Sequence, residues 1–231
     1  MPPKRVAHAQ ALRESFTEAN SCAVVERWAT ETIGHALQVA QEAAKHRGEA
    51  QAATYTSSNA QKTPQQVVDV LQRYQSLCHC VFTDAEQVRT VIAVRIPELK
   101  EEDNLGVAVQ NAVLKMIDEI ESKATGGSGG EKSGGVAAPA GMYSLREYLT
   151  TRGGVEEKII GKPDEKTGGS SAGSKSPSVL LELRQVDADA LMKVELAAMQ
   201  LATVLRSFVN AYALNWKKLI EPRSISSHMV S

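Results

Sequence analysis

The feature that most constrains this fold is an apolar seam that runs from residue 67 to residue 92 in unbroken steps of four and three. Its members are Val67, Leu71, Tyr74, Cys78, Val81, Ala85, Val88 and Ile92. An α-helix has 3.6 residues per turn, so these steps place every member on one face, as in helices that pack side by side. Thr63 and Pro64 precede the seam as a helix start, with threonine as the cap and proline in the first turn. The seam therefore predicts a helix of about 45 Å from Pro64 to Val94, at ~1.5 Å per residue.

Similar periodicity lies on both sides of this helix. A first helix is predicted as one continuous segment from about Val6 to Ala53, because its apolar residues also recur at steps of three and four. These residues are Val25, Trp28, Thr32, Ala36, Val39 and Ala43. A third helix opens after Asn104 with Val109, Val113, Met116 and Ile120, and a fourth runs from about Ser178 to Ile220. We expect an all-α protein, folded as an elongated up-down four-helix bundle.

The fourth predicted helix carries two apolar stripes. One contains Leu183, Val186, Ala190, Val194, Ala197, Leu201, Val204, Phe208 and Ala211, and the other contains Leu191, Ala198, Leu205, Val209, Tyr212, Trp216 and Ile220. A helix of an isolated four-helix bundle needs about one such face. We therefore expect the second stripe, through Leu205, Val209 and Trp216, to pack partly against another copy of the chain.

Glycine separates the third and fourth helices. Thirteen of the 16 glycines lie between residues 126 and 173, and so many glycines lose too much conformational entropy to be held in a helix. We predict flexible segments at 125–141 and 161–177, with helix resuming between them in "MYSLREYLTTR". The segments are interpreted as loops at one end of a single domain that spans residues 1–231.

Composition and motifs weaken several classes of function. The formal net charge of −1 gives no electrostatic reason to expect nucleic acid or an anionic membrane as a partner. No apolar run is long enough to cross a bilayer. The cysteines Cys22, Cys78 and Cys80 form an odd and sparse set, which favours free thiols in a reducing compartment and hence a cytoplasmic protein.

No motif points to catalysis. Cys78 and Cys80 flank His79, but residues two apart on a helix point in different directions and no second cluster completes a tetrahedral metal site. "GGSSAGSKS" at 168–176 lacks the spacing and the preceding strand of a phosphate-binding loop. No nucleophile elbow, paired-carboxylate site or His/Asp relay is present. We expect no catalytic residue, no metal and no cofactor, so the chain is predicted not to be an enzyme.

The connection "IPELKEEDNLGVAVQ", residues 96–110, interrupts the helices. Pro97 drives Ile96 out of helical geometry, and Asp103 or Asn104 can cap the helix that follows. The charged residues between them therefore form a short loop that is held at both ends. From these residues alone, a solvated interhelical turn and a functional loop remain equally favoured, because short polar loops are common in bundles.

This connection resembles the activation-loop segment of the 11S (REG) family of proteasome activators, whose members carry Ile-Pro, a short charged loop, Asn, an apolar residue and Gly-Val-Ala-Val-Gln. Residues 104–110 match the last part. Residues 210–223, "NAYALNWKKLIEPR", are similar to the family's C-terminal segment, which has Asn-Ala-Tyr and ends its helix at Pro-Arg before a short tail. Over its full length, including the glycine insert and the final "HMVS", the chain resembles the trypanosome-type activator more than the animal ones.

The resemblance implies a four-helix protomer in a heptameric ring that caps the 20S proteasome without using ATP. Each C-terminal tail would enter a pocket between adjacent α subunits, where its carboxylate meets a lysine. Each activation loop would push on a turn near the N terminus of an α subunit and so open the entrance gate. The partners implied are the 20S α subunits and further copies of the chain.

Site residues also follow from the resemblance. The activation loop is placed at 97–104, and Glu102 is the first choice among its contacts, which are Glu98, Lys100, Glu101, Glu102, Asp103 and Asn104. The docking tail is placed at 222–231, with contacts from Met229, Val230 and Ser231. Animal relatives often end in tyrosine where this chain has Ser231, so the terminal carboxylate is expected to matter more than the last side chain. The insert at 125–141 is absent from the animal relatives.

The alternative is a structural scaffold protein made of oligomeric helical bundles. It would account for the seams and the self-association, but it gives no reason for the charged loop or the apolar tip of the tail. A lipid carrier would need basic faces with aromatic anchors, which the sequence lacks. Native mass, together with stimulation of a purified 20S proteasome on short peptides, would distinguish these classes.

Overall fold

The segments whose periodicity predicts helices form helices. The computed structural model of the chain describes residues 4–56, 59–98, 104–125, 145–160 and 177–223. The helices are α1 (Lys4–Ser15), α2 (Glu18–Arg27), a π-helical turn (Trp28–Thr32), α3 (Ile33–Ala52), α4 (Gln65–Ala93), α5 (Leu105–Thr125), α6 (Leu145–Ile160) and α7 (Pro177–Ile220). No strand occurs within the described ranges. The predicted all-α class is confirmed.

Four long limbs run alternately up and down. The first limb is α2, the π-helical turn and α3, and the others are α4, α5 and α7, which packs against the first three. Pairs of contacts fix the directions. Arg27 and Glu42 of the first limb pair with Asp84 and Arg73 of α4, in reverse order along the two helices. Ser21 and Arg47 likewise meet Tyr212 and Glu195 of α7 in reverse order. At 44 residues, α7 extends about 66 Å at ~1.5 Å per residue, which makes the bundle elongated. The predicted up-down four-helix bundle is confirmed.

The apolar seam on α4 faces the core, as its spacing predicts. All of its members are at most 2% exposed, and the set predicted for the first helix is buried too. Trp28 packs edge-on against Phe208, with ring centroids 5.5 Å apart. Burying one such large side chain contributes about 1.5–3 kcal/mol, so the sum over these faces holds the limbs together.

The prediction of one continuous helix from Val6 to Ala53 is wrong. α1 ends at Ser15, and Thr17 takes an extended conformation (φ −77°, ψ 156°) immediately before α2. The Ser15 hydroxyl donates to the Ala11 carbonyl at 2.9 Å. Thr17 stands at the N-cap of α2, a position that favours threonine, and its hydroxyl donates to Oδ1 of Asn20 at 3.1 Å. A helix start therefore lies inside the predicted helix.

The expectation that the second stripe of α7 lies between subunits is wrong for its central residue. Leu205 is 0% exposed and Tyr212 is 4% exposed within one protomer, while Val209 and Trp216 are half-buried against the same core. The reason is that α7 lies among α3, α4 and α5, so both stripes meet helices of their own bundle. The large apolar side chains left exposed on α7 lie on other positions, namely Leu181, Met192, Leu196, Met199 and Leu214.

The predicted flexible segments fall mostly outside the described residues. Thr125 ends α5 and Pro177 begins α7, so each predicted segment overlaps a helix by its boundary residue. Between them, α6 continues through Gly153 and Gly154, with open space where a Cβ would stand. Its Val155 and Ile159 pack on α7 and stabilise this helix despite its glycines.

A buried carboxylate joins α6, α7 and the connection after α3. Asp187 on α7 is 0% exposed and accepts hydrogen bonds from the hydroxyls of Tyr55 (2.5 Å) and Tyr148 (2.6 Å) and from Nε of Arg152 (3.0 Å). Burial and the neighbouring Asp187 raise the pKa of Tyr55 to about 12. Burial and Asp187 raise the pKa of Tyr148 as well, so both tyrosines remain protonated donors at neutral pH.

Arg152 completes this network. It is also 0% exposed, pairs with Glu156 on its own helix, and donates from Nη2 to the carbonyl of Lys62 at 3.2 Å. A buried charge is tolerated only when it is paired and hydrogen-bonded. The network therefore fixes α6 and the connection between α3 and α4 at one end of the bundle.

Replacing Asp187 with asparagine is expected to destabilise the protein by about 3 kcal/mol, because Arg152 would remain buried after losing one of its two counter-charges. Urea unfolding followed by circular dichroism, at a fixed protein concentration, measures the change. The matched control is Asp189→Asn, which removes the same charge from a half-buried residue that accepts from Gln185 at 2.7 Å. Equal stability of the Asp187 and Asp189 variants would contradict the structural role of the network.

Candidate functional site

Loop 97–104 leaves the bundle at the C-terminal end of α4, and this helix end is capped. We call the residues where the loop or the C-terminal tail leaves the bundle its root. After Ala93, the backbone makes a short turn in which the Arg95 amide donates to the Ile92 carbonyl (3.0 Å) and the Ile96 amide to the Ala93 carbonyl (3.2 Å). Pro97 cannot continue this pattern, since it has no amide hydrogen. Nε of Arg13 donates to the Val94 carbonyl at 2.8 Å. A helix end leaves carbonyls without partners, and here α1 supplies one of the missing donors.

The other end of the loop enters α5 directly. The Asn104 carbonyl accepts from the Ala108 amide at 2.9 Å, so the first turn of α5 begins there. Leu105, the first helical residue, is 68% exposed. A large apolar side chain at this position has no role in the core of the described bundle and lies beside the charged loop. It adds an apolar contact surface that the sequence interpretation did not single out.

The C-terminal segment starts at the same end of the bundle. α7 ends at Ile220, the Glu221 amide donates to the Lys217 carbonyl at 2.7 Å, and Pro222 follows. A guanidinium Nη2 of Arg223 donates to the Glu98 carbonyl. The root of the C-terminal segment and the root of the loop therefore touch each other, although they are far apart along the chain.

Two residues of α5 complete this meeting point. Gly106 lies so close to Pro222 that a Cβ on the glycine would overlap the proline carbonyl oxygen. Gln110 is 0% exposed and donates from Nε2 to the Leu219 carbonyl at 2.8 Å and to the Arg95 carbonyl at 3.4 Å. We call Arg95, Gly106, Gln110, Leu219 and Pro222 the root junction.

The predicted site residues are only partly placed. Glu98 and Asn104 are described, the first exposed and the second half-buried. Lys100, Glu101, Glu102 and Asp103 of the loop lie outside the described residues, as do Met229, Val230 and Ser231 of the C-terminal segment. The structure brings together the beginnings of both predicted elements. Of the predicted contact side chains, it describes those of Glu98 and Asn104.

Sequence reasoning missed Gly106 and Gln110 as buried residues. The stripe predicted for the third helix passed through Val109 and Met116, which are half-buried. The deepest face of α5 instead contains Gly106, Gln110, Val113, Ile117, Ile120 and Ala124. Continuing the steps of three and four backward from Val113 would have found both residues, but a glycine and a glutamine give no apolar signal.

The other motifs considered in the sequence form no metal site or membrane-spanning helix within the described residues. Cys78 is buried and Cys80 is exposed, so they face different ways. No group of three or more His, Cys, Asp or Glu side chains there could hold a metal ion. No helix in the described ranges combines the length and apolarity needed to span a bilayer. The segment 168–176 lies outside the described residues.

A groove of about 690 Å³ runs between α3 and α4. Both arginines of its lining pair with carboxylates across the groove, Arg27 with Asp84 and Arg73 with Glu42. Glu31 and Asp69 also line it, so the lining carries four carboxylates and two arginines.

Comparison with known proteins identifies relatives for this architecture. The family model described as "Proteasome activator PA28, C-terminal" matches residues 60–129, which contain α4, the loop and α5. A comparison with curated proteins gave no match. The likeness is therefore carried by the family model and by solved structures.

Two solved complexes contain chains similar to this one over nearly all of its length. In an archaeal 20S proteasome–PA26 complex, the matched chain is 55% identical with a TM-score of 0.84, and the match covers 98% of this chain and 100% of that one. A second matched chain is in the complex of the yeast 20S proteasome with the proteasome activator PA26 from Trypanosoma brucei. It is 45% identical with a TM-score of 0.74, and the match covers 97% of this chain and 100% of that one. The Plasmodium falciparum 11S subunit PA28 matches at 13% identity with a TM-score of 0.53, covering 70% of this chain and 64% of that one, which shows the fold alone.

Proposed function

The chain belongs to the 11S family of proteasome activators, and from this premise we propose that it activates the 20S proteasome without using ATP. In this proposal a ring of the protein docks on the α subunits of the 20S cylinder through its C-terminal tails, residues 222–231. The activation loops, residues 97–104, then open the entrance gate. Peptide cleavage is done by the 20S proteasome, so the activator is not itself an enzyme and uses no cofactor.

The observation that carries this proposal is the shared position of the two element roots. Pro222, where the tail starts, lies against Gly106, and Arg223 binds the Glu98 carbonyl. A tail that docks at this end therefore brings the activation loop to the same face of the partner. A scaffold protein would not need the root of a charged loop and the root of a C-terminal tail side by side.

Docking is expected to depend on the ring as a whole. One short tail with a charge-assisted carboxylate contact binds at about millimolar strength, ~−4 kcal/mol. Several tails on one ring engage at high effective concentration, which multiplies weak affinities by about 10²–10⁴. The ring, and not the protomer, is therefore the binding unit.

Gate opening is a separate step in this proposal. A contact that is equally strong with the closed and the open gate shifts no population. The activation loop must therefore contact the open arrangement better than the closed one. Among its side chains we propose Glu102 as the main contact, with Glu98, Lys100, Glu101, Asp103 and Asn104 beside it. For the tail we propose Met229, Val230 and the carboxylate of Ser231.

The exposed apolar face of α7 supports self-association. Met192, Leu196 and Met199 lie at steps of four and three and are between 42% and 49% exposed. Side chains at this spacing form one continuous face, and burying it between protomers would remove it from water. We propose a homoheptameric ring of one-domain protomers.

The free thiols of the described cysteines suit a cytoplasmic protein.

The proposal is tested by adding the purified protein, without ATP, to a purified 20S proteasome and a fluorogenic short peptide. We expect the rate of peptide hydrolysis to rise with added protein and to saturate when both ends of the cylinder are capped. Light scattering should give seven times the 24.9 kDa mass of one chain. A stable ring that leaves the hydrolysis rate unchanged, or a monodisperse monomer at micromolar concentration, would contradict the proposal.

A further inference from the structure

Two residues of the connection motif have no role in the function proposed so far. The motif ends in Gly106-Val107-Ala108-Val109-Gln110, beyond the charged loop. Gly106 and Gln110 are both buried at the root junction, one turn apart on the same face of α5. That face meets the end of α7 and the turn after α4.

Glycine is needed at position 106 because the backbone of Pro222 leaves no room for a Cβ atom, and not because the position requires an unusual backbone conformation. It lies in the first turn of α5, where alanine would favour the helix by roughly 1 kcal/mol. A Cβ there would overlap the Pro222 carbonyl oxygen and come within 2.5 Å of its carbonyl carbon and 2.6 Å of its Cα. The obstruction is backbone, so no change of side-chain rotamer relieves it. The glycine therefore lets the tail root lie directly on α5.

Gln110 connects the two roots chemically. Its Nε2 donates to the Leu219 carbonyl, one residue before α7 ends, and to the Arg95 carbonyl in the turn before the loop. Both acceptors belong to helix ends, where carbonyls lack intrahelical partners. Its Oε1 is buried without a hydrogen-bond partner among the described residues. One amide group thus holds the start of the loop and the start of the tail at a fixed separation.

We propose that Gly106 and Gln110 are positioning residues that fix the tail root to the loop root, so that docking of the tails determines where the loops meet the gate. The inference rests on the proposed function. A tail of eight residues beyond Arg223 can span up to about 28 Å when extended. Tail binding alone therefore does not fix the distance between the ring and the surface of the 20S proteasome. A contact that must act on a partner needs its supporting residues held to within about 0.5 Å. The root junction supplies that constraint.

Gly106→Ala tests the proposal in two assays. In the 20S assay, we expect the variant to form the ring and to co-sediment with the 20S proteasome within about threefold of the unmodified protein, because the tails keep their length and carboxylate. Stimulation of peptide hydrolysis should fall about tenfold or more, since overpacking forces the backbones apart. Gly34→Ala is the matched control, because a Cβ at Gly34 meets nothing within 4 Å.

Hydrogen exchange on the isolated ring gives a readout that does not depend on the 20S proteasome. Gly106→Ala should increase amide exchange at residues 94–98 and at residues 219–223 together, and Gly34→Ala should change neither. Increased exchange in one segment alone would show that the roots are not joined and would overturn the inference. If the unmodified protein did not stimulate the 20S proteasome, the proposed function would fail while this test of the junction still stood.

Gln110→Met provides a second variant with a similar side-chain length and no donor. We expect the same separation of binding from stimulation, with a loss of about three- to tenfold, as befits the removal of one buried hydrogen-bonding group. Gln185→Met is its matched control, since Gln185 is exposed and donates to Asp189 on α7. Full stimulation by both junction variants, or loss of the ring or of docking in Gly106→Ala, would overturn the positioning role.

Discussion

Removing Met229, Val230 and Ser231 is expected to abolish binding to the 20S proteasome while the ring stays assembled. The described bundle has its last helical residue at Ile220, so the deletion leaves every described residue of the bundle in place. If each tail contributes ~4 kcal/mol through its carboxylate and a few backbone contacts, losing every tail removes the whole docking interaction. Co-sedimentation with the 20S proteasome measures binding, and light scattering measures the ring.

The carboxylate is separated from the side chains by two further variants. Extending the chain by two residues beyond Ser231 keeps the side chains and moves the carboxylate, and it should prevent docking as completely as the deletion. Ser231→Ala keeps the carboxylate in place and should bind normally. Undiminished binding by the extended chain would rule out the terminal carboxylate as the anchor.

Glu102→Ala is expected to yield a ring that docks and does not open the gate. Because the tails are unchanged, binding should persist, and the variant should compete with the unmodified protein for the 20S proteasome. If the loops supply the difference in free energy between closed and open gates, losing ~1.4 kcal/mol summed over the ring lowers the open-to-closed ratio about tenfold. Peptide hydrolysis at saturating ring concentration measures this loss.

Glu119→Ala is the matched control for this prediction. Glu119 is an exposed carboxylate on α5, so its replacement makes the same change in charge away from the loop and should leave stimulation intact. Full stimulation by Glu102→Ala would exclude Glu102 as the main contact. Full stimulation after alanine replacement of every charged residue from Glu98 to Asp103 would exclude a switching role for the charged side chains of the loop.

The two predictions and the root junction assign different steps to different residues. In the proposal, the tail binds, the loop shifts the gate, and Gly106 and Gln110 hold the two elements in register. Variants of the tail should lose binding and stimulation together. Variants of the loop or the junction should lose stimulation at nearly full occupancy. These outcomes are distinguishable in one titration that records both occupancy and hydrolysis rate.

The interior faces of the bundle were predictable because they depend on local geometry. On α4, each seam residue lies three or four positions from the next, and all of them are at most 2% exposed. The same rule placed Trp28 and Ala36 correctly on the first limb. It overestimated the continuity of that limb, because Thr17 takes an extended conformation at the N-cap of α2, and a cap residue leaves the apolar period unchanged.

The candidate site was only partly predictable. Pro97 and Pro222 marked where α4 and α7 must end, and the resemblance of residues 96–110 to a known segment predicts an activation loop there. The oligomer prediction failed for Leu205, because a sequence shows that a helix has two apolar faces without showing which neighbours cover them. Only the packing of α7 among three other helices placed that residue inside its own protomer.

The sequence by itself determined that the chain is helical, which face of α4 turns inward and where Pro97 ends the helical pattern, because each depends on residues within one or two turns of one another. Only the tertiary structure decided that the loop root and the tail root meet. Gln110 and its acceptor Leu219 are separated by 109 positions, and Gly106 has no partner pattern in the sequence that points to Pro222. Close contact between two backbones is set by how whole helices pack against each other, and no local pattern in either segment encodes it.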